Sequence, residues 1–182
     1  NGNAAQMEGS KKFAKEVMAR ANVPTASYQS FTDEAAAADY VRQLGGPCVV
    51  KADGLAAGKG VIVAANTDEA LAGLHECFTG AFGDAGNLVV VEEMLEGPEC
   101  SLLALTDGTT VVPLATSQDH KRALDGDLGP NTGGMGVYSP VPILLDGELD
   151  AMSAVMQRVV DQLRADGITY SGCLYGGFML TK

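Results

Sequence analysis

The run VVKADGLAAGKGVIVAA, residues 49–65, constrains this chain more than any other segment. Two β-branched stretches flank a loop that holds Gly54, Gly58 and Gly60, with Lys51 at its mouth and Lys59 inside it. Branched side chains favour extended backbone and clustered glycines interrupt it, so the pattern predicts strand, loop, strand. Glycine lets backbone N–H groups approach an anion closely, and the two lysines bring positive charge to the same place, which together describe a phosphate clamp. The loop is not a P-loop. Its G-x-x-x-G-K-G spacing is one residue short, Gly60 stands where a metal-binding Ser or Thr is needed, and a strand follows where a helix should. The G-x-G-x-x-G dinucleotide pattern fails as well, and a flexible hairpin loop with a solvated lysine fits the same residues.

The rest of the chain alternates helices and strands and reads as α+β. Phe13, Val17 and Ala21 lie four apart within residues 10–21, and Asn22 and Pro24 close that helix. Thr32 as N-cap and Gly45 as terminator bracket a second helix, with Ala37, Tyr40, Val41 and Leu44 on one face. Cys48 to Lys51 and GVIVAA from Gly60 are the two strands beside the glycine loop. Asn66 with Glu69 resembles a capping box for a helix that buries Leu71, Leu74 and Phe78. A strand follows at 88–91, and LLALT and TTVVPLA are joined by Asp107-Gly108, which predicts a two-residue type I′ hairpin. From Ser117 to Pro142 apolar periodicity vanishes, which predicts a long functional loop. The longest helix spans about Glu148 to Asp166, with Leu149, Met152, Met156, Val159 and Leu163 on one stripe and Gly167 at its end, and CLYGGFMLT forms a last strand. The chain stops at Lys182, one residue past that strand, so it reads as a piece of a longer protein.

Composition narrows the functional classes. With 182 residues, 46% apolar and 19% charged, the chain can bury a core without metal or disulfide staples. No apolar run approaches the roughly 18 residues of a membrane span, and the start lacks the order of a signal peptide, so a soluble, cytoplasmic protein is expected. The formal charge of −11 argues against nucleic acid and anionic membranes as partners. Cys48, Cys77, Cys100 and Cys173 include no C-x-x-C pair and no His at metal-site spacing, and read as core residues in a reducing compartment.

Positive charge is concentrated against that acidic background. Seven of the twelve basic residues, Lys11, Lys12, Lys15, Lys51, Lys59, Lys121 and Arg122, fall in or beside the segments that could carry chemistry. The second such segment is VVVEEMLEGPE: a strand exit offers backbone groups to a purine edge, and Glu99 offers a carboxylate to a ribose diol. A solvated acidic rim is the plainer reading of it. The third is TSQDHKR at 116–122 followed by GPNTGGMGVYSP at 129–140, where Asp119, His120, Lys121 and Arg122 precede Gly133, Gly134 and Gly136. Mixed charge followed by glycine suits close approach to a substrate, although a solvated turn shares these features. His75 lies on a predicted helix and takes no role.

Taken in order, EGSKKFAKE, VVKADGLAAGKGVIVA, VEEMLEGPE, ATSQDHKR and GPNTGGMGVYSP resemble the phosphoribosylamine–glycine ligase family, also called glycinamide ribonucleotide synthetases. The E-E-x-L-x-G-x-E stretch is shared with the wider ATP-grasp superfamily, including D-alanine ligases and biotin carboxylases. The resemblance implies an ATP-grasp fold of two α+β lobes with ATP between them, here in part: residues 1–23 as an N-terminal helix, 24–91 as the smaller lobe with the phosphate loop, and 92–182 as the larger lobe. It implies ATP binding by Lys11 and Lys51, by Gly58, Lys59 and Gly60 over the phosphates, by Glu92, Glu93 and Leu95 at the adenine hinge, and by Glu99 at the ribose. Asp119, Lys121, Asn131, Thr132, Gly133 and Gly134 match the region lining the glycine and 5-phosphoribosylamine side, and Lys59, Asp119, His120 and Lys121 are the candidate catalytic residues.

In such enzymes the carboxylate of glycine attacks the γ-phosphate of ATP, and the amine then displaces phosphate from glycyl phosphate. Phosphorylation supplies the leaving group that a carboxylate lacks, with Mg²⁺ (or Mn²⁺) and lysines offsetting charge. No side-chain nucleophile is needed, in agreement with the absence of any Ser-His or Cys-His arrangement. The family's metal-holding segment, of the type EFNCRFGDPE, has no match in this chain, and neither do the N-terminal and C-terminal domains. The piece is therefore expected to fold and bind ATP but to lack the metal ligands for turnover, and to be a monomer or weak dimer. Another ATP-grasp carboxylate–amine ligase and a non-catalytic nucleotide-binding module are the alternative readings.

Overall fold

The computed structural model describes residues 2–56, 60–126 and 128–181, and for Pro130 and Asn131 the backbone alone. The chain forms two compact units, Gly2–Ala19 with Pro24–Leu95, and Arg20–Val23 with Glu96–Lys182.

The first unit is a four-stranded antiparallel sheet with helices. In chain order its α-helices and strands are α1 (Gln6–Gly9), α2 (Lys11–Arg20, its last residue in the other unit), β1 (Tyr28–Phe31), α3 (Glu34–Leu44), β2 (Cys48–Ala52), β3 (Val61–Ala64), α4 (Thr67–Glu76) and β4 (Val89–Glu93), with a π-helical turn at Cys77–Ala81 and a 3-10 turn at Gly83–Asn87 between the last two. The strands lie in the order β1-β4-β2-β3. Register fixes what each sheet face carries, because side chains alternate with a period of two. Cys48, Val50 and Ala52 of β2 and Val89 and Val91 of β4 face α3 and α4, where Ala37, Val41, Ala70 and Leu74 complete a fully buried core. The intervening residues, Lys51 of β2 and Val90 and Glu92 of β4, face the other way.

All three expected helices of this unit, α2, α3 and α4, are present, with one cap moved. Asp33, not Thr32, caps α3: its side chain accepts the N–H of Ala36 at 2.8 Å, and Gly45 ends the helix at φ 66°. Asn66 caps α4 through the N–H of Glu69, and Glu69 accepts the N–H of Ala65 in return. Phe78 and Leu71 are packed against the core without being fully buried. Strand β1, YQSF, carries no apolar alternation and is legible only through its pairing with β4.

The second unit contains β5 (Glu99–Thr106), β6 (Val111–Pro113), β7 (Gln118–Leu124), β8 (Leu128–Tyr138), α5 (Glu148–Ala165) and β9 (Gly172–Met179). Strands β6-β5-β9 form an antiparallel sheet, and β7 pairs with β8. Here two expectations are corrected. The β5–β6 connection is four residues long, since Thr106 pairs with Val111. Asp107 builds it by accepting the N–H groups of Thr109 and Thr110, an Asx arrangement that replaces the type I′ turn. Residues 118–138 are mostly a β-hairpin rather than a loop without structure, with register shifts between His120 and Arg122 and between Arg122 and Leu124. Most of β8 is exposed, so no apolar alternation betrays the strand.

Helix α5 buries Met152, Met156, Val159, Val160 and Leu163, while Leu149 at its start is 40% exposed. Its end is a Schellman motif: Gly167, at φ 76°, donates its N–H to Arg164 O and Ile168 donates to Leu163 O. Cys48, Cys77 and Cys100 are buried as expected, and burial, with the charge of Glu76 adding to it, pushes the Cys77 thiol up to about 11. Cys173 is the exception. It pairs with Leu105 on the outward face of the β5–β9 sheet and is exposed. Among the described residues no helix is long and apolar enough to cross a membrane.

Candidate functional site

The cleft of the first unit is built on the sheet face that turns away from α3 and α4. It has a volume of about 530 Å³, and its lining includes Lys11 and Lys15 of α2, Lys51 of β2 and Glu92 of β4 beside apolar Met7, Met18 and Val61. Period-two alternation delivers Lys51 and Glu92 from strands whose neighbouring residues fill the core. Helical periodicity delivers Lys11 and Lys15, four apart, from one face of α2. Apolar walls with a few converging charges suit a ligand that has a flat ring and an anionic tail.

Each lysine is held differently. Lys11 Nζ donates to the carbonyls of Ala52 at 2.7 Å and Gly54 at 3.2 Å. It therefore reads the backbone where β2 runs into the glycine loop. Burial, the largest influence, together with Lys51 lowers its pKa from 10.5 despite the opposing charge of Asp53. Lys51 Nζ donates to Glu92 Oε2 at 2.9 Å. Lys15 Nζ reaches the same oxygen at 3.2 Å, and burial likewise lowers its pKa, against the pull of Glu92. Cations whose charged form is disfavoured by desolvation gain most from an anion placed among them.

The loop itself is anchored by Asp53. Its side chain accepts the Lys12 N–H at 2.7 Å and the Ser10 hydroxyl at 3.2 Å, so it satisfies the start of α2 from the end of β2. Gly60 is required for space: a Cβ there would lie 2.6 Å from Ala56 Cβ and 3.1 Å from Ala52 Cβ. Gly58 and Lys59 lie outside the described residues. At the exit of β4, Glu93 donates its N–H to Ser27 O, and its carboxylate accepts the Ser27 N–H at 2.8 Å. The backbone N–H of Glu93 is thus already committed. Leu95 follows, half-buried, beyond the end of β4.

The second unit gathers a different set. Glu99 opens β5, and Lys121 Nζ donates to its Oε2 at 2.9 Å while lying 3.9 Å from Asp119 Oδ2. Partial burial works to lower the pKa of Lys121, but the bond to Glu99 and the charges of Glu99 and Asp119 outweigh it and raise it above 10.5. Asp119 and Lys121 share one face of β7 because they are two apart. His120 falls on the other face, its ring 5.2 Å from that of Tyr138. The four consecutive polar side chains, Asp119 to Arg122, are therefore divided between the two faces. Thr132 Oγ1 donates to Lys121 O at 2.9 Å and accepts the Gly134 N–H, and a Cβ on Gly133 or Gly134 would meet nothing within 4 Å. The side chain of Asn131 lies outside the described residues.

Two residues of the site were given no role by sequence reasoning. Lys15 was counted among the clustered basic residues and carried a further signal, its helical spacing from Lys11. Asp53 carried none, because its partners lie 41 and 43 residues away. Among the described residues, no group of three or more His, Cys, Asp or Glu side chains could hold a metal ion.

Known proteins give this geometry its setting. The crystal structure of phosphoribosylamine–glycine ligase from Thermotoga maritima superposes with a TM-score of 0.91 at 32% identity, covering 99% of this chain and 46% of that one. The biotin carboxylase domain of Hydrogenobacter thermophilus 2-oxoglutarate carboxylase, at 21% identity, superposes with a TM-score of 0.73 over 96% of this chain and 37% of that one, and shares the fold alone. A phosphoribosylamine–glycine ligase of Yersinia pestis is 54% identical over 187 residues, and one of Escherichia coli K12 is 53% identical over 184. In each case 98% of this chain is covered, and the chain spans 42% of the length of these curated relatives. Residues 9–182 match the family model described as phosphoribosylglycinamide synthetase, ATP-grasp (A) domain. The fold is thus that of a partial ATP-grasp domain, and the chain belongs to the phosphoribosylglycinamide synthetase family.

Proposed function

We propose that the protein carrying this chain ligates glycine to 5-phosphoribosylamine at the expense of ATP, by way of glycyl phosphate, in purine biosynthesis in the cytoplasm. The observation that carries the reading is the cleft in which Lys11 and Lys51 converge between apolar walls, in a chain more than half identical to ligases of that name. Lys11 and Lys51 meet the phosphates, and Gly58, Lys59 and Gly60 close over them. The backbones of Glu93 and Leu95 take the adenine edge; because the Glu93 N–H is engaged by Ser27, its carbonyl is the group assigned to the base. Glu92 lies beside that edge, and Glu99 takes the ribose diol.

On the substrate side, Lys121 and Asp119 orient glycine and 5-phosphoribosylamine, with Thr132 to Gly134 permitting close backbone approach. His120 is assigned to the same region from the opposite face of β7. The lysines bind and orient a polyanion and offset the charge that develops as the phosphoryl group moves. The ATP-grasp family uses ATP with a divalent metal, but the described residues do not supply a fitting set of ligands, so no step is assigned to a metal here. The protein acts as a monomer or weak dimer.

The test is ADP release by the full-length protein with each carboxylate in turn. Release that requires both glycine and 5-phosphoribosylamine, and that falls by about two orders of magnitude in Lys51→Ala, supports the assignment. Release stimulated by another amino acid, with glycine inert, overturns the substrate and leaves the ATP-grasp fold standing.

A further inference from the structure

Lys51 is paired with a carboxylate at rest. Among the described residues its one hydrogen-bond partner is Glu92 Oε2, at 2.9 Å, and a phosphate in the cleft competes for the ammonium and draws it off that oxygen. That departure would leave behind a carboxylate whose side chain is 6% exposed. A buried charge that loses its partner opposes the event that removed it, so a Glu92 paired with Lys51 alone would hold the lysine back.

Lys15 changes that balance. Its Nζ lies 3.2 Å from the same oxygen, on a side chain only 7% exposed. It also donates to Thr25 Oγ1 at 2.7 Å and to Ala26 O at 3.2 Å, so its three N–H groups have three acceptors. The Tyr28 ring lies 5.2 Å away. Lys15 is therefore the fixed member of the trio. Lys51, 26% exposed and on the cleft wall, is the member that can leave.

We propose that Lys15 is a positioning residue, which keeps Glu92 neutralised and in place so that Lys51 can transfer from that carboxylate to the nucleotide phosphates. The inference rests on the nucleotide-binding reading of the cleft and goes beyond it, since it gives Lys15 a role through Glu92, the carboxylate its Nζ meets at 3.2 Å. The competing account is a buried lysine that only ties α2 to the segment before β1. It predicts a loss of stability and nothing specific to nucleotide.

The experiment uses the full-length protein and reads ADP affinity in the presence of magnesium by calorimetry, the KM values for ATP and glycine, and the melting temperature. Lys15→Met is expected to weaken ADP binding and raise the ATP KM by about 10- to 100-fold, the effect of diverting one charge-assisted hydrogen bond, with the glycine KM unchanged. In Lys15→Met/Glu92→Gln the neutral amide no longer captures Lys51, so ADP binds more tightly than to Lys15→Met alone. ADP affinity unchanged in a folded Lys15→Met protein, whatever its melting temperature, overturns the proposal. A loss that Glu92→Gln does not relieve overturns it too. A wild-type protein that binds no ADP overturns the nucleotide reading and this inference together, an outcome distinct from failure of the variants alone.

Discussion

Lys11 illustrates how one side chain links backbone, electrostatics and ligand. The carbonyls it reads hold it at the mouth of the glycine loop, and burial lowers its pKa below 10.5. The folded chain therefore binds this proton less tightly than the unfolded chain does. The charged form costs stability below the folded pKa, and that cost disappears as pH rises through it. A bound phosphate reverses the preference. ADP affinity of the full-length protein is accordingly expected to fall as pH approaches 10.5 from below, earlier than an exposed lysine would dictate, in calorimetric titrations at stepped pH. Affinity that holds constant up to 10.5 would remove Lys11 from the phosphate site. Lys11 and Lys51 were legible because they sit in recognisable motifs. Glu93 was legible as part of the motif at the exit of β4, but its engaged N–H was not, since Ser27 lies 66 residues away.

Among the helices, α4 and α5 show what local pattern does and does not convey. Leu74 is fully buried between α4 and the sheet, and Leu74→Ala is expected to destabilise the first unit by about 2–5 kcal/mol in denaturant unfolding. A loss under 1 kcal/mol would mean that the α3–α4 face collapses around the missing atoms. Near the end of α5, Asp166 accepts a bond from Arg20 at 2.9 Å and another from Gln162, and the Arg20 guanidinium is the main cause of its lowered pKa. A depressed carboxyl stabilises the fold above its unfolded value of 3.8, and that contribution is lost as pH falls through the lower folded value. Arg20→Ala should therefore lower the melting temperature near neutral pH, and the difference from wild type should shrink on acidification below 3.8. A difference independent of pH would assign the effect to packing. Helices α2, α3 and α5 were readable to within a residue or so, and the caps of α3 and α4 likewise, because capping chemistry is local, whereas the short α1 was not anticipated. Strands β1, β7 and β8 were not, because their stability comes from pairing rather than from apolar alternation.

Taken whole, the chain buries its apolar residues unevenly. Leu103, Leu105, Val112 and Tyr175 lie on one face of the β6-β5-β9 sheet and remain 38%, 51%, 55% and 55% exposed. A contiguous exposed apolar face is where a soluble chain meets another surface. The 182-residue chain prepared alone is expected to bind the dye ANS, and Leu105→Lys should reduce the signal without changing the melting temperature of the first unit. Dye binding equal in both proteins would locate the exposed apolar surface elsewhere. The fold class was readable in the sequence at this level because the family motifs are distinctive. The pairing of distant strands was not, since register is set by partners that no local window contains. Strand β4 carries a last consequence. It sends Val89 and Val91 into the helix-packed core and Glu92 into the cleft by alternation alone, so its length is less negotiable than its composition. Conservative swaps along it are absorbed, whereas one inserted or deleted residue would drive a carboxylate into the core and a valine into the cleft at the same stroke.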